Sequence, residues 1–203
     1  MNKKKNIILA IITARKNSKG IKDKNIKKIN NIPLIQYTFE AAKNAKLITD
    51  IIVSTDSYEI KKLSKKFGID APFKRPAILS TSKASSIDVV EHALNWYEKN
   101  KKIKVDYIIL LQPTSPLRSS SHIDQSITKI LKNTSNHSLI SCYDASHIHP
   151  SIMYTYRNDK LIKYDKTQSN KRRQDFDKIF IRNGAIYIVR KKFFEKKKKI
   201  ICD

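Results

Sequence analysis

Arg15, Lys19 and Lys24 stand close together in the stretch ITARKNSKGIKDKN, residues 12–25, directly after an apolar run. A strand that ends in a loop of small residues lets backbone N–H groups converge on phosphate oxygens, while basic side chains neutralise the remaining charge. The stretch has neither the GxxxxGK[ST] spacing of a P-loop nor the GxGxxG of a dinucleotide fold, so neither standard phosphate motif accounts for it. On its own it suits a phosphate cradle or a surface loop whose lysines reflect composition.

A second cluster, LLQPTSPLR at residues 110–118, ends the densest apolar run. Ligands of open α/β sheets bind beyond the carboxyl ends of the strands, which is where Gln112, Thr114, Ser115 and Arg118 fall. Pro113 and Pro116 stiffen the turn and fix where these side chains point. The same residues also make a rigid strand-to-helix connection, with Ser119 to Ser121 available as helix N-caps, and the two roles are compatible. His147 and His149 form an HxH pair without a carboxylate or thiol at ligand spacing, which reads as a structural or interface feature. No Ser-His-Asp or Cys-His arrangement stands out.

The elements that position these clusters alternate between strand-like and helix-like segments, the pattern of a sheet layered between helices. Strands are expected at residues 7–13, 50–54, 105–111, 138–143 and 180–189, with helices at 34–44, 58–67, 87–100 and 123–132. Gly68 marks a helix stop, and Val90, Ala93, Leu94 and Tyr97 recur at helical spacing. From about Ala145 the pattern turns short, irregular and aromatic through Tyr154, Tyr156 and Tyr164 to the basic stretch Lys171 to Arg173. This is read as an insertion over residues 145–180, shaped for a partner subunit, inside one domain spanning residues 1–203.

The chain has 203 residues and is 40% hydrophobic, enough for one α/β domain with a real core. The formal net charge of +24 could signal nucleic acid or an anionic substrate. The lysines are dispersed, however, and no nucleic-acid motif accompanies them, so solvated surface is the stronger reading and no nucleic-acid partner is expected. No apolar run approaches the roughly 20 residues needed to cross a bilayer, and the N-terminus lacks a signal-peptide cleavage site. A cytoplasmic location and no membrane partner are expected. Cys142 and Cys202 show no metal-ligand spacing and are expected to be reduced.

ITARKNSKGIKDKN, VSTD at 53–56, KRPAILSTSKASSIDVVEHAL at 74–94, LLQPTSPLR and RNGAIYI at 182–188 resemble, in order and approximate spacing, the acylneuraminate cytidylyltransferases. The resemblance covers nearly the whole chain. It implies a Rossmann-like nucleotide-diphospho-sugar transferase fold, three α/β/α layers around a mostly parallel mixed sheet with a small dimerisation insertion. It implies transfer of CMP from CTP to a nine-carbon sialic, legionaminic or pseudaminic acid, with Mg²⁺ as cofactor and a homodimer as the working form. Such activated sugars feed lipopolysaccharide, capsule or flagellin glycan synthesis.

Carried over by position, the resemblance implies that Arg15, Ser18, Lys19, Lys24 and Asn25 hold the CTP phosphates. Arg75, Ala84 and Ser86 lie beside the nucleoside. Gln112, Thr114 and Ser115 face the sugar acid, with Arg173, Asn183 and Tyr187 lining the same pocket and Arg173 suited to the sugar carboxylate through its planar fork. Arg15, Lys24 and Gln112 are the expected catalytic positions. Arg173 reaches into the neighbouring subunit in this family.

The resemblance also implies a C-terminal strand and helix bearing a DxD pair for Mg²⁺, and the chain ends at KKKKIICD before such a segment. Metal ligands are therefore unknown, with Asp56 read as a strand-end or nucleoside-side residue. Two alternatives stand beside this reading: a 3-deoxy-manno-octulosonate cytidylyltransferase, and an inactive truncated module for nucleotide binding or oligomerisation.

Overall fold

In β1 (Ile8–Thr13) six consecutive residues of strand character are buried or nearly so, because both faces of the strand are covered. A short hairpin of β2 (Lys28–Ile29) and β3 (Ile32–Pro33) then leads into α1 (Leu34–Lys43). β4 (Asp50–Ser54) is followed by α2 (Tyr58–Lys66), capped by Ser57 and closed at Gly68, whose φ of +66° suits a residue without Cβ. α3 (Ser86–Lys101) leads to β5 (Tyr107–Leu111), α4 (Ser120–Lys132) and β6 (Ser138–Asp144). β7 (Tyr154–Arg157) and β8 (Lys160–Lys163) pair as a hairpin, and β9 (Phe180–Arg190) runs into α5 (Lys191–Lys197).

This computed structural model describes residues 6–16, 20–165 and 172–202, without the Arg173 side chain. The strand order of the main sheet is β4-β1-β5-β9-β6. β1 pairs in parallel with both β4 and β5, and β9 runs antiparallel to β5, so the sheet is mixed as expected.

Side chains alternate across β1, and the two faces meet different helices. Ile8, Ala10 and Ile12 pack with Ile35, Phe39 and Ala42 of α1 and with Ile123, Ile127 and Ile130 of α4. Leu9 and Ile11 pack with Val90, Ala93, Leu94 and Tyr97 of α3 and with Phe194 of α5. Helices thus cover both faces, giving three layers. α5 was not anticipated, because KKFFEKK reads as a charge run, yet Phe194 is fully buried.

The chain divides into two compact units, residues 1–140 with 184–203 and residues 141–183. In the second, the β7–β8 hairpin turns at Asn158 and Asp159, with φ of 50° and 56°. Positive φ at both central residues is the two-residue turn that matches strand twist, and Asn and Asp tolerate it. Sequence reading left this segment irregular because its strands lie largely exposed. Among the described residues, no helix is long and apolar enough to cross a membrane.

Candidate active site

A cavity of about 300 Å³ opens beyond the carboxyl ends of the parallel strands, lined by Thr13 at the end of β1 and by Gln112, Pro113 and Thr114 after β5. Arg15, Lys24 and Asn25 supply one wall, and Arg75, Ala84 and Ser86 another. Eight expected site residues (Arg15, Lys24, Asn25, Arg75, Ala84, Ser86, Gln112 and Thr114) therefore share one cavity although they are spread along the chain. Leu79, Thr81, Ser82 and Val89 complete it without having been singled out, although the first three lie in the KRPAILSTSK stretch.

Local structure explains why these side chains meet. Asp56, just after β4, accepts a hydrogen bond from the Lys16 backbone N–H at 2.7 Å, tying the loop after β1 to the end of β4. Asn25, buried in the turn Lys24–Ile26, donates its side-chain amide to the Arg15 carbonyl at 3.0 Å. Asn25 thus positions Arg15 as well as lining the cavity. Asp56 thus holds the Lys16 backbone beside the cavity loop.

Arg75 is 4% exposed. Its Nε donates to Ser54 Oγ at 3.0 Å, Nη2 donates to the Ser54 carbonyl, and its own backbone N–H donates to the Thr55 carbonyl at 2.8 Å. Burial pulls the guanidinium down to about 10, with Asp56 favouring and Arg15 opposing its charge. At neutral pH it stays a cation. His92, on α3, is held below its ordinary value by burial and then by the charge of Arg75, and packs edge-on against Phe73.

α3 begins at the cavity through Ser86, and Ser85 caps it by accepting from the Ile87 N–H at 3.0 Å. The positive end of its dipole therefore adds to Arg15, Lys24 and Arg75. The described lining contains no carboxylate. A polyanion is the ligand this electrostatics selects.

For the Mg²⁺ expected from the resemblance, the described cavity lining offers no carboxylate. Among the described residues no three His, Cys, Asp or Glu side chains gather as a metal site, and Asp56 is engaged by the Lys16 amide. The HxH pair is no metal site either: His149 is buried, accepts from the Ser151 N–H at 3.1 Å and stacks on Phe176.

The remaining expected residues are placed as follows. Ser115 is absent from the cavity lining, and its carbonyl accepts from the Arg118 N–H at 3.2 Å to close the turn. Tyr187, on β9, pairs opposite Leu110. Gly184, with φ of +76°, sits where a Cβ would come 3.4 Å from Gln112 Oε1 and 3.7 Å from the Tyr187 hydroxyl. Gln112 and Tyr187 thus converge beside it. In the second unit, Asn183 accepts from Ser141 Oγ at 2.6 Å and Arg173 opens the turn Arg173–Asp175. Ser18, Lys19 and the Arg173 side chain lie outside the described residues.

A mixed, partly parallel sheet between helices, with a basic cavity beyond its strand ends, is the build of a Rossmann-like nucleotide-binding protein. The chain matches the cytidylyltransferase family model over residues 9–202. A post-translational flagellin modification protein B of Campylobacter coli is 37% identical over 92% of this chain and 78% of its own length. An N-acylneuraminate cytidylyltransferase of Streptococcus agalactiae is 34% identical over 94% of this chain, which spans 45% of that relative. Among solved structures, CMP:2-keto-3-deoxy-manno-octonic acid synthetase complexed with CTP has a TM-score of 0.69 at 17% identity, covering 97% of this chain and 79% of its own, a likeness of fold. The chain belongs to the cytidylyltransferase family.

Proposed function

We propose that this protein transfers CMP from CTP to the anomeric hydroxyl of a nine-carbon, sialic-acid-like sugar acid, releasing pyrophosphate. The observation that carries the reading is the cavity in which Arg15, Lys24 and Arg75 meet the start of α3 with no carboxylate in the described lining. The hydroxyl oxygen bonds to the α-phosphorus as the α–β phosphoanhydride bond breaks, and pyrophosphate leaves with the bonding electron pair. The hydroxyl proton is released to solvent. Such a displacement needs alignment and neutralised charge, with no covalent intermediate on the protein.

Arg15 and Lys24 are assigned to the phosphates, with Asn25 fixing Arg15, and Ser18 and Lys19 are assigned to them as well. Arg75, Ala84 and Ser86 are assigned to the nucleoside. Gln112, Thr114 and Tyr187 are assigned to the sugar acid, joined by Arg173 for its carboxylate and by Asn183. The 34% identity to an N-acylneuraminate enzyme supports a nine-carbon acid, while the 17% identical 2-keto-3-deoxy-manno-octonic acid synthetase shows a likeness of fold.

A cytoplasmic homodimer is part of the proposal. In the second unit, Tyr154, Tyr156, Leu161 and Tyr164 are exposed at 55%, 69%, 68% and 65%, an apolar surface that suits a second copy. The test is pyrophosphate release with CTP and, in separate reactions, N-acetylneuraminic, legionaminic and 3-deoxy-manno-octulosonic acids. Turnover with the nine-carbon acids supports the reading, and turnover confined to the eight-carbon acid contradicts it.

A further inference from the structure

Two arginines are almost completely buried, Arg75 at 4% and Arg118 at 5% exposure, and only Arg75 lines the cavity. Arg118 follows the LLQPTSP turn, and its guanidinium folds back beneath it. Nη1 donates to the Gln112 carbonyl at 3.0 Å and to the Ala185 carbonyl at 2.7 Å, while Nη2 donates to Thr38 Oγ1 at 2.6 Å. Thr38 is itself fully buried on α1. Nε makes no hydrogen bond, and no ion pair to a carboxylate is found for this residue among the described residues.

A buried cation without a counter-charge is costly, and an apolar side chain would fill such a site without that cost. What an apolar side chain could not do is bridge two carbonyls. The β5–β9 ladder ends with Leu110 opposite Tyr187, and extending that register places Gln112 opposite Ala185. There the guanidinium bridges the two strands through their carbonyls. It does so one residue from Gly184, beside which Gln112 Oε1 and the Tyr187 hydroxyl converge.

We propose that Arg118 is a positioning residue for the acceptor half of the site, holding the Gln112 backbone against β9 so that the Gln112 side chain meets the sugar acid. This rests on the function proposed above. A lysine keeps the charge but lacks the two-armed reach.

Arg118→Lys is expected to raise KM for N-acetylneuraminic acid about tenfold while leaving the calorimetric CTP affinity within about twofold, because the displaced group serves the acceptor. Combined with Gln112→Ala, it should add nothing to the rise in sugar KM caused by Gln112→Ala alone, since both changes act through one side chain. Amide exchange should accelerate at residues 110–112 and 185–187, and not in α3 or β4. Thr38→Val, which removes one anchor with little change of shape, should shift the same quantities less and serves if Arg118→Lys fails to fold.

An unchanged sugar KM, a parallel loss of CTP affinity, or additivity with Gln112→Ala overturns the proposal. The exchange measurement needs no substrate: if no sugar acid turns over, local loss of protection at 110–112 and 185–187 still supports the positioning role. Unchanged protection there overturns it.

Discussion

The Asn25 side-chain amide donates to the Arg15 carbonyl at 3.0 Å, so a buried amide sets the backbone that carries a cavity cation. Removing it leaves a part-buried carbonyl unsatisfied, at a cost of about 1–3 kcal/mol. Asn25→Ala should lower the melting temperature by several degrees and weaken CTP binding, measured by thermal melting and titration calorimetry. Unchanged CTP affinity would mean that Arg15 needs no such support.

Arg15 itself is half-buried at the mouth of the phosphate wall. A charge-assisted contact to phosphate is worth about 1.5–3 kcal/mol, so Arg15→Ala should lower kcat/KM about tenfold or more while leaving the fold intact. Steady-state pyrophosphate release together with circular dichroism checks both halves. Full activity would remove the loop from the site.

Gly184 adopts φ of +76°, and a Cβ there would come 3.4 Å from Gln112 Oε1. Alanine in that backbone region costs about 1–2 kcal/mol. Gly184→Ala should therefore melt lower and raise KM for the sugar acid more than KM for CTP. Equal effects on the two substrates would count against a sugar-side role for Gln112.

Much of this was legible from residue type and spacing. The unbroken apolar run ILAIIT and the helical spacing of Val90, Ala93, Leu94 and Tyr97 report burial directly, and burial defined the layers. Of the eight cavity residues, Arg15, Lys24, Gln112 and Thr114 were legible in the motifs that follow β1 and β5, whereas Asn25, Arg75, Ala84 and Ser86 came from the resemblance. Contacts across large sequence separations were not legible: nothing near Arg118 points to Thr38 or Ala185, and nothing in VSTD points to the Lys16 amide. The turn after β5 was legible only in part: Thr114 lines the cavity, while the Ser115 carbonyl closes the turn by accepting from the Arg118 N–H.

Glu98 and Lys191 form an ion pair at 2.9 Å, both about one-eighth exposed, that ties α3 to the start of α5. Burial pushes the Glu98 carboxyl up, but hydrogen bonds from Lys191 and the Val105 N–H and the charge of Lys191 outweigh it and hold the group below its ordinary value. Burial pulls Lys191 down, and Glu98 outweighs that to hold it above its ordinary value. The carboxylate's contribution is thus present above its unfolded pKa and lost as pH falls through the folded one. The ammonium's contribution is present below its unfolded pKa and lost as pH rises through the folded one. Glu98→Gln should cost about 1.5–3 kcal/mol at neutral pH, and the difference from the unmodified protein should shrink in acid. A difference in melting temperature that is independent of pH would contradict the assignment.

The central claim is that the cavity formed by Arg15, Lys24 and Arg75 at the strand ends takes CTP. Titration calorimetry with CTP, UTP, ATP and GTP, in buffer containing Mg²⁺, tests it most directly on the unmodified protein and on Arg75→Gln. The account predicts that CTP binds at least about tenfold more tightly than the other three, a difference of about 1.4 kcal/mol, and that Arg75→Gln weakens CTP binding. Equal affinity for all four nucleotides, or CTP binding indifferent to Arg75, would contradict it.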